Sequence, residues 1–365
     1  RETSQIADPV LPLILDGDLV WQSGLLFARS GEKVAIVGSF DADAIGNTGI
    51  FDRVIPYVES VEDFLLEELE RLNPEQIAVN YSRDNVAADG LTVGMYQILK
   101  DHLSEIAMED RLVSAEGVIG KLRGRKTPTE ISRIRRAVEI TEAIYDEMKE
   151  KISVGMTELH IYHMFHRAME LQDVTSAWNP DHNPAVDAGP NKEFGHSGPT
   201  DNKTKEGHLL HFDFGVRWKD YCSDIQRMFF FGGPSDIPEE VKTAFDTVCG
   251  AIQSAADFIR PGRVGHEVDA VAREYVVDRG YEGYKHALGH QVGRQAHDGG
   301  TLLGPLWERY GDSPRGEVEK GNVFTLELYV TTDNFGQVSL EEDIVVTSNG
   351  CEFLSSPQTE LICIE

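Results

Sequence analysis

The sequence predicts an α+β fold with two domains, a smaller N-terminal α/β domain and a larger C-terminal domain made of two similar halves. Three observations support this prediction. Strand-like and helix-like segments alternate over residues 1–120, a basic, glycine-containing segment follows at 121–126, and one arrangement of helices, glycine turn and acidic strand then occurs twice. Because 365 residues can form two separate cores, we expect domains at 1–124 and 125–365.

Composition limits the classes of partner. The chain has 62 Asp and Glu against 34 Lys and Arg, a formal net charge of -28, which disfavours nucleic acid and anionic membrane surfaces. No apolar run approaches the roughly 20 residues of a membrane span. The four cysteines form no CxxC pair, so we expect a reducing, cytoplasmic location. The start, Arg1-Glu2-Thr3, reads as mid-domain sequence, and we expect a further stretch upstream.

Short strands and amphipathic helices alternate in the N-terminal domain. Turn residues between two apolar runs predict a β-hairpin over 24–39. Apolar periodicity predicts helices at 61–72 and 92–103, with a strand at 76–80 between them. The glycines between residues 38 and 46 match neither the GxGxxG nor the GxxxxGK[ST] spacing, so they predict no phosphate site.

A long amphipathic helix opens the C-terminal domain. Residues 121–126 are basic and contain a glycine, as expected of a linker. Thr127 and Pro128 then supply an N-cap and a first-turn proline. The apolar face of this helix is predicted to comprise Ile131, Ile134, Val138, Ile144, Met148 and Ile152.

Two segments of the C-terminal domain repeat in the same order. Gly155 and Gly262 each lie in a turn between a long helix and a second helix. Further on, Gly207 and Gly321 each precede a strand with an acidic residue six positions later. Each copy therefore reads helix, helix, glycine turn and acidic strand, which predicts a domain with pseudo-two-fold internal symmetry.

Two predicted hairpins bring four carboxylates towards one place. The first hairpin carries Asp213 and Asp224, and the second carries Glu327 and Glu341. A single acid of this kind is ordinary on a surface hairpin. Four together carry a charge that two divalent cations would balance, so the pattern predicts a dinuclear metal site.

A histidine cluster supplies a nitrogen ligand. His286, His290 and His297 lie in one short segment and are separated by glycines. A lone histidine is usually a satisfied core residue, whereas this Gly-His-x-x-Gly-x-x-x-His pattern favours a functional role. We therefore predict His290 as a metal ligand.

These motifs resemble those of the pita-bread metallopeptidases, a family that includes methionine aminopeptidase, Xaa-Pro aminopeptidase and prolidase, with the metal-free creatinases as relatives. The family pattern is an Asp, a second Asp about eleven residues later, a His in a glycine-rich stretch and two Glu on late strands. The chain matches it over residues 121–365, and residues 1–120 are similar to the N-terminal domain of the proline-directed and creatinase branches. The five matching positions are Asp213, Asp224, His290, Glu327 and Glu341.

The resemblance implies a mechanism. Asp224 and Glu341 would be shared by two divalent metal ions, with manganese expected first and cobalt, zinc or iron as alternatives. Asp213 would complete the ligands on one side, and His290 with Glu327 those on the other. A hydroxide bridging the ions would attack the scissile carbonyl, and Glu327 would carry a proton to the leaving nitrogen.

The resemblance also assigns three further histidines. His196 matches the histidine that faces the substrate, His297 the one near the scissile carbonyl, and His286 a histidine of the proline-directed members. All three are therefore expected to bind substrate, and His196, His297 and Glu327 are the expected catalytic groups. Relatives with this layout are often dimers, so a homodimer is expected.

One departure keeps other functions open. Ser339 stands two residues before Glu341, where proline-directed members carry an Arg that in prolidases helps to hold the terminal carboxylate of the substrate. The leading prediction is an Xaa-Pro aminopeptidase or dipeptidase-like exopeptidase acting on small peptides. The alternatives are a hydrolase of a small non-peptide amide on the same dimetal scaffold and a catalytically inactive binding protein. His211, on the predicted strand face of Asp213, has no assigned role.

Overall fold

The computed structural model describes residues 8–15, 17–190 and 198–365. The chain divides into two units, residues 1–120 and 121–365. Among the helices of the described residues, none has both the length and the apolar character needed to cross a membrane.

The first unit is a small α/β arrangement. Its elements are β1 (Gly24–Phe27), β2 (Lys33–Gly38), α1 (Ala42–Asn47), β3 (Arg53–Tyr57), α2 (Glu62–Leu72), β4 (Ile77–Val79), α3 (Val93–Ser104) and β5 (Leu112–Ser114). Strands β1 and β2 form the predicted antiparallel hairpin, β3 joins β2 in parallel, and β4 pairs with β5. Apolar residues of α2, including Leu65 and Leu69, pack against Val34 and Ile36 of β2. The predicted hairpin, helices and strand of this region are confirmed.

The segment expected as a linker is helical and partly buried. Helix α4 (Glu116–Gly124) covers most of residues 121–126. Arg123 and Lys126 are buried, and both bind Asp298: Arg123 Nη2 lies 2.5 Å from Oδ1 and Lys126 Nζ lies 3.3 Å from Oδ2. The segment begins where the two units divide, but it is not an exposed loop, because its basic side chains neutralise a carboxylate of the second unit.

Helices flank a large sheet in the second unit. The helices are α5 (Pro128–Lys151), α6 (Glu158–Leu171), α7 (Glu239–Phe258) and α8 (Gly265–Val277). The strands are β6 (Thr175–Ser176), β7 (Ala185–Ala188), β8 (Leu209–Phe214), β9 (Val216–Trp218), β10 (Tyr221–Cys222), β11 (Ile225–Phe231), β12 (Val323–Thr331), β13 (Gln337–Val346), β14 (Cys351–Phe353) and β15 (Ile362–Ile364). The central sheet has the order β12-β13-β11-β8-β7, with β14 on β13 and β15 on β11.

Helix α5 begins where the sequence predicts. Thr127 and Glu130 form a capping box, and Pro128 occupies the first turn. Ile134 and Val138 are fully buried in a cluster that α5 and α6 share with β8. A second cluster joins α7 and α8 to β12 and β13.

The two halves of this unit repeat at the level of single hydrogen bonds. The four turn glycines have φ between 76° and 92°, a region that glycine enters without steric cost; they are Gly155, Gly207, Gly262 and Gly321. Gly155 N donates to Thr204 O in the first half, and Gly262 N donates to Val318 O in the second. Antiparallel bridges follow in both, Thr157 with Lys203 and Val264 with Glu317. The predicted internal repeat is confirmed.

Candidate metal centre

Four polar residues form a row across four neighbouring strands. Asp213 on β8 lies opposite Gln226 on β11, and Gln226 lies opposite Glu341 on β13. Glu341 in turn lies opposite Glu327 on β12. Residues directly opposite in an antiparallel pair present their side chains to the same face. Asp224 lies two residues before Gln226, the spacing that returns a side chain to that face.

His290 reaches the same place from a segment that runs beside β12. Thr325 N donates to His290 O (3.0 Å), and His290 N donates to Thr325 Oγ1 (3.2 Å). A Cβ atom at Gly289 would come within 1.9 Å of Thr325 O, which explains the glycine before this histidine. The imidazole Nε2 lies 3.6 Å from Glu327 Oε1, 3.8 Å from Asp224 Oδ2 and 4.0 Å from Glu341 Oε1.

Removal from water and mutual repulsion oppose ionisation of these carboxyl groups. Burial and then the Asp213 carboxylate raise the pKa of Asp224 well above its ordinary value. Burial and then Asp224 do the same to the pKa of Glu341. Burial and then the Asp213 carboxylate raise the pKa of Glu327 to about 8. Burial lowers the pKa of His290 well below its ordinary value, which keeps the imidazole neutral. A bound cation would reverse the repulsion among the acids.

The donor set fits a divalent metal ion. One ligand atom from each of Asp224, His290 and Glu341 lies within 4.8 Å of the others, which is the arrangement of a metal-binding group. Oxygen-rich ligation with one imidazole suits Mn, Co, Fe or Zn. Asp213 and Glu327 belong to the same row of side chains, so all five predicted ligands meet at one face of the sheet.

The backbone of Asp224 is held from behind the site. Its N–H donates to Asp343 Oδ2 (3.0 Å), and the hydroxyl of the preceding Ser223 lies 2.8 Å from Thr141 Oγ1 on α5. Asp343 is fully buried, and burial raises its pKa well above the ordinary value. Asp343 is not among the predicted site residues, although three consecutive acids at 341–343 in a strand are a signal for it.

A buried ion pair on the opposite face fixes the strand register. Arg227 follows Gln226 and Glu342 follows Glu341, so both point away from the row. Arg227 Nη1 and Nη2 lie 2.9 Å and 3.1 Å from the two Glu342 carboxylate oxygens. Because such bidentate pairs are geometrically specific, this one keeps Gln226 and Glu341 opposite one another.

The predicted substrate histidines differ in position. His196 lies outside the described residues. The ring of His297 lies 4.1 Å from that of His290, centroid to centroid. His286 is half-buried, and its ring lies 5.4 Å from that of Tyr329 on β12. The structure therefore places His297 against the candidate metal ligands and His286 beside Tyr329.

Ser339 is an interior residue. It is 3% exposed, and its hydroxyl contacts Gln226 Oε1 and lies 3.1 Å from Leu328 O. The hydroxyl of Ser339 is therefore engaged inside the protein, and a serine supplies no cation for a substrate carboxylate.

Comparison with known proteins places the chain among peptidases. The sequence profile of metallopeptidase family M24 matches residues 132–348. An uncharacterized peptidase of Staphylococcus haemolyticus is 25% identical over 332 residues, which cover 91% of this chain and 87% of that protein. An uncharacterized peptidase of Staphylococcus aureus is 28% identical over 341 residues, with the same two coverages.

Solved structures share the fold. The Xaa-Pro dipeptidase from Bacillus anthracis is 22% identical with a TM-score of 0.77, covering 98% of this chain and 93% of that one. The prolidase from Pyrococcus horikoshii OT3 is 22% identical with a TM-score of 0.72, covering 97% and 93%. The X-Pro aminopeptidase from Thermotoga maritima MSB8 is 22% identical with a TM-score of 0.70, covering 92% and 86%. The predicted α+β, pita-bread fold is confirmed.

Proposed function

Because the chain belongs to metallopeptidase family M24, we propose that it is an Xaa-Pro exopeptidase, an aminopeptidase or dipeptidase, that acts on small peptides with two divalent metal ions. The row of Asp213, Glu341 and Glu327 across the central sheet, completed by Asp224 and His290, is the observation that carries this proposal. Proteins with this fold include an Xaa-Pro dipeptidase and a prolidase.

The ligand assignment follows the row. Asp224 and Glu341 are central and would be shared by both ions, Asp213 would serve one side, and His290 with Glu327 the other. Ions bound there act as Lewis acids and lower the pKa of water. Manganese is the first metal to test, followed by cobalt, zinc and iron.

Other side chains would orient the peptide and move its proton. Glu327, at the end of the row beside His290, would pass a proton to the leaving nitrogen. His297, against His290, would donate a hydrogen bond to the scissile carbonyl oxygen. His286 and His196 would contact the substrate.

A metal-reconstitution assay tests the proposal. The purified chain is stripped with a chelator, reloaded with one metal at a time, and given Xaa-Pro dipeptides, Xaa-Pro-Yaa tripeptides and matched peptides with alanine in place of proline. We expect metal-dependent release of the first residue from the proline peptides. Absence of cleavage of every proline peptide with every metal would overturn the proposal.

Serine at position 339, which supplies no cation for a terminal carboxylate, supports a second candidate, hydrolysis of a small non-peptide amide. If no group holds a terminal carboxylate, amidated and free-acid forms of one peptide should be cleaved equally well. Small N-acyl and cyclic amides, assayed beside the peptides with the same metals, distinguish the two functions.

Metal analysis addresses the third candidate, an inactive binding protein. That candidate requires the purified chain to hold no tightly bound divalent ion, whereas the group of Asp224, His290 and Glu341 favours one. The homodimer and the cytoplasmic location stay predictions, and sedimentation velocity tests the dimer.

A further inference from the structure

A buried hydrogen-bonded chain lies beside the candidate metal ligands. Its members are Asp187 on β7, His211 on β8, Gln226 on β11 and Ser339 on β13, and each is at most 7% exposed. His211 Nδ1 lies 3.0 Å from Asp187 Oδ2, and His211 Nε2 lies 3.0 Å from Gln226 Oε1. The Ser339 hydroxyl donates to the same Oε1 atom. His211, which the sequence left without a role, is the centre of this chain.

These contacts set the orientation of the Gln226 amide. An amide oxygen only accepts hydrogen bonds, and an amide nitrogen only donates them. The Ser339 hydroxyl donates to Oε1, and His211 Nε2 lies within hydrogen-bond distance of the same atom. In this orientation the NH2 group points the other way, and its nitrogen lies 3.5 Å from Glu327 Oε2. The opposite orientation would turn a carbonyl oxygen towards a carboxylate.

The two oxygens of Glu327 therefore have different neighbours. Oε2 faces the Gln226 amide at 3.5 Å, and Oε1 faces His290 Nε2 at 3.6 Å. A donor beside one oxygen favours one orientation of the carboxylate and leaves the other oxygen directed at His290. This is how partners of a metal ligand generally orient it.

The sheet holds the chain in register. Asp187 lies directly opposite His211 across β7 and β8, and Gln226 is the neutral member of the row between Asp213 and Glu341. Buried polar groups in such a chain are costly unless each has its partner. Their position beside the carboxylates indicates that this cost is offset by function.

We propose that Asp187, His211 and Gln226 are positioning residues that hold the Glu327 carboxylate for metal binding and proton transfer. This inference rests on the proposed function and adds residues of this chain to it. Partners that orient metal ligands commonly contribute about 10–100-fold in metal affinity.

Gln226→Met is the main test, because it keeps the approximate length of the side chain and removes its donors. Titration calorimetry on the metal-stripped protein measures Mn²⁺ affinity, and thermal unfolding measures stability. We expect the variant to bind Mn²⁺ about 10–100-fold more weakly. In the peptide assay, kcat should fall while KM changes by less than about twofold, since the loss affects chemistry more than substrate binding.

Gln358→Met is the matched control. Gln358 is also buried beside β11, but its side chain bonds to backbone atoms of Met228 and Glu360. This variant should lose stability and keep the Mn²⁺ affinity of the wild type.

Asp187→Asn tests the far end of the hydrogen-bonded chain, and it replaces Gln226→Met as the test if that variant does not fold. It should weaken Mn²⁺ binding to a smaller extent, and add nothing in the Gln226→Met background because it acts through Gln226. Two results would overturn this inference and leave the proposed function standing. One is a folded Gln226→Met variant with the Mn²⁺ affinity of the wild type, and the other is additive effects of the two substitutions on that affinity. A wild-type chain that binds no divalent ion would overturn the proposed function together with it.

Discussion

The carboxylate of Asp343 accepts a hydrogen bond from the backbone N–H of Asp224 at 3.0 Å. Alanine at position 343 would leave that buried N–H without this partner, at a cost of about 1–3 kcal/mol. We expect Asp343→Ala to lower the free energy of unfolding by this amount and to weaken Mn²⁺ binding, as urea unfolding and calorimetry can show. Asp343→Asn keeps an accepting oxygen and should retain most of both, so equal losses in the two variants would contradict the anchoring role.

Asp224→Asn should separate metal binding from folding. The amide keeps the size of the side chain and cannot ionise. In the wild type, burial and Asp213 oppose ionisation of Asp224 and raise its pKa. We expect no measurable peptide hydrolysis, and a metal-free variant that is more stable than the metal-free wild type at pH 8. Thermal unfolding in chelator measures the second effect. Turnover equal to the wild type would refute the ligand assignment.

Glu327 gives a pH prediction for the metal-free chain. Burial and Asp213 raise its pKa to about 8, from 4.5 for an unperturbed glutamate. Above pH 4.5 the folded state keeps a proton that the unfolded state has lost, so stability falls as the pH rises towards 8. A shift of this size corresponds to about 4–5 kcal/mol. In chelator, the urea midpoint should be lower at pH 8.5 than at pH 6.5.

Two controls belong to this pH experiment. Glu327→Gln removes the titrating group and should reduce the pH dependence of the metal-free chain. Added Mn²⁺ should stabilise the wild type more at pH 8.5 than at pH 6.5, because metal and protons compete for the same oxygens. A metal-free wild type that gains stability over this range would rule out the raised pKa.

Asp298 is the anion that two buried cations share. Asp298→Asn leaves Arg123 and Lys126 without their carboxylate, and breaking a buried ion pair costs about 3–5 kcal/mol. Lys126→Met should cost less, since Arg123 still pairs with Asp298 and burial already lowers the pKa of Lys126. Urea unfolding compares the two variants, and equal costs would argue against a shared anion.

Local signals predicted a large part of the fold and of the site. The turn glycines Gly207 and Gly321 adopt positive φ, and the acidic residue six positions later falls on a strand in both halves. The opposition of Glu327 and Glu341 follows from one hairpin whose arms meet across a short turn. These features depend on neighbouring residues, so spacing alone encodes them.

Contacts between segments far apart in the chain could not be predicted from the sequence. The chain of Asp187, His211 and Gln226 uses three strands whose order in the sheet no spacing reveals. Arg123 lies in a segment with the composition of a linker, and its partner Asp298 is 175 residues away. In both cases the environment of a polar side chain depends on a partner that only the folded sheet brings close.

Because the ligands come from both halves of the repeat, a bound metal ion would also affect the stability of the fold. The first half of the second unit supplies Asp213 and Asp224, and the second half supplies Glu327 and Glu341. An ion shared by these residues would be a cross-link between the halves, and its binding free energy would oppose their separation rather than the melting of either half alone. Metal loading would therefore reinforce the pairing of β11 with β13, which already joins the two halves in one sheet.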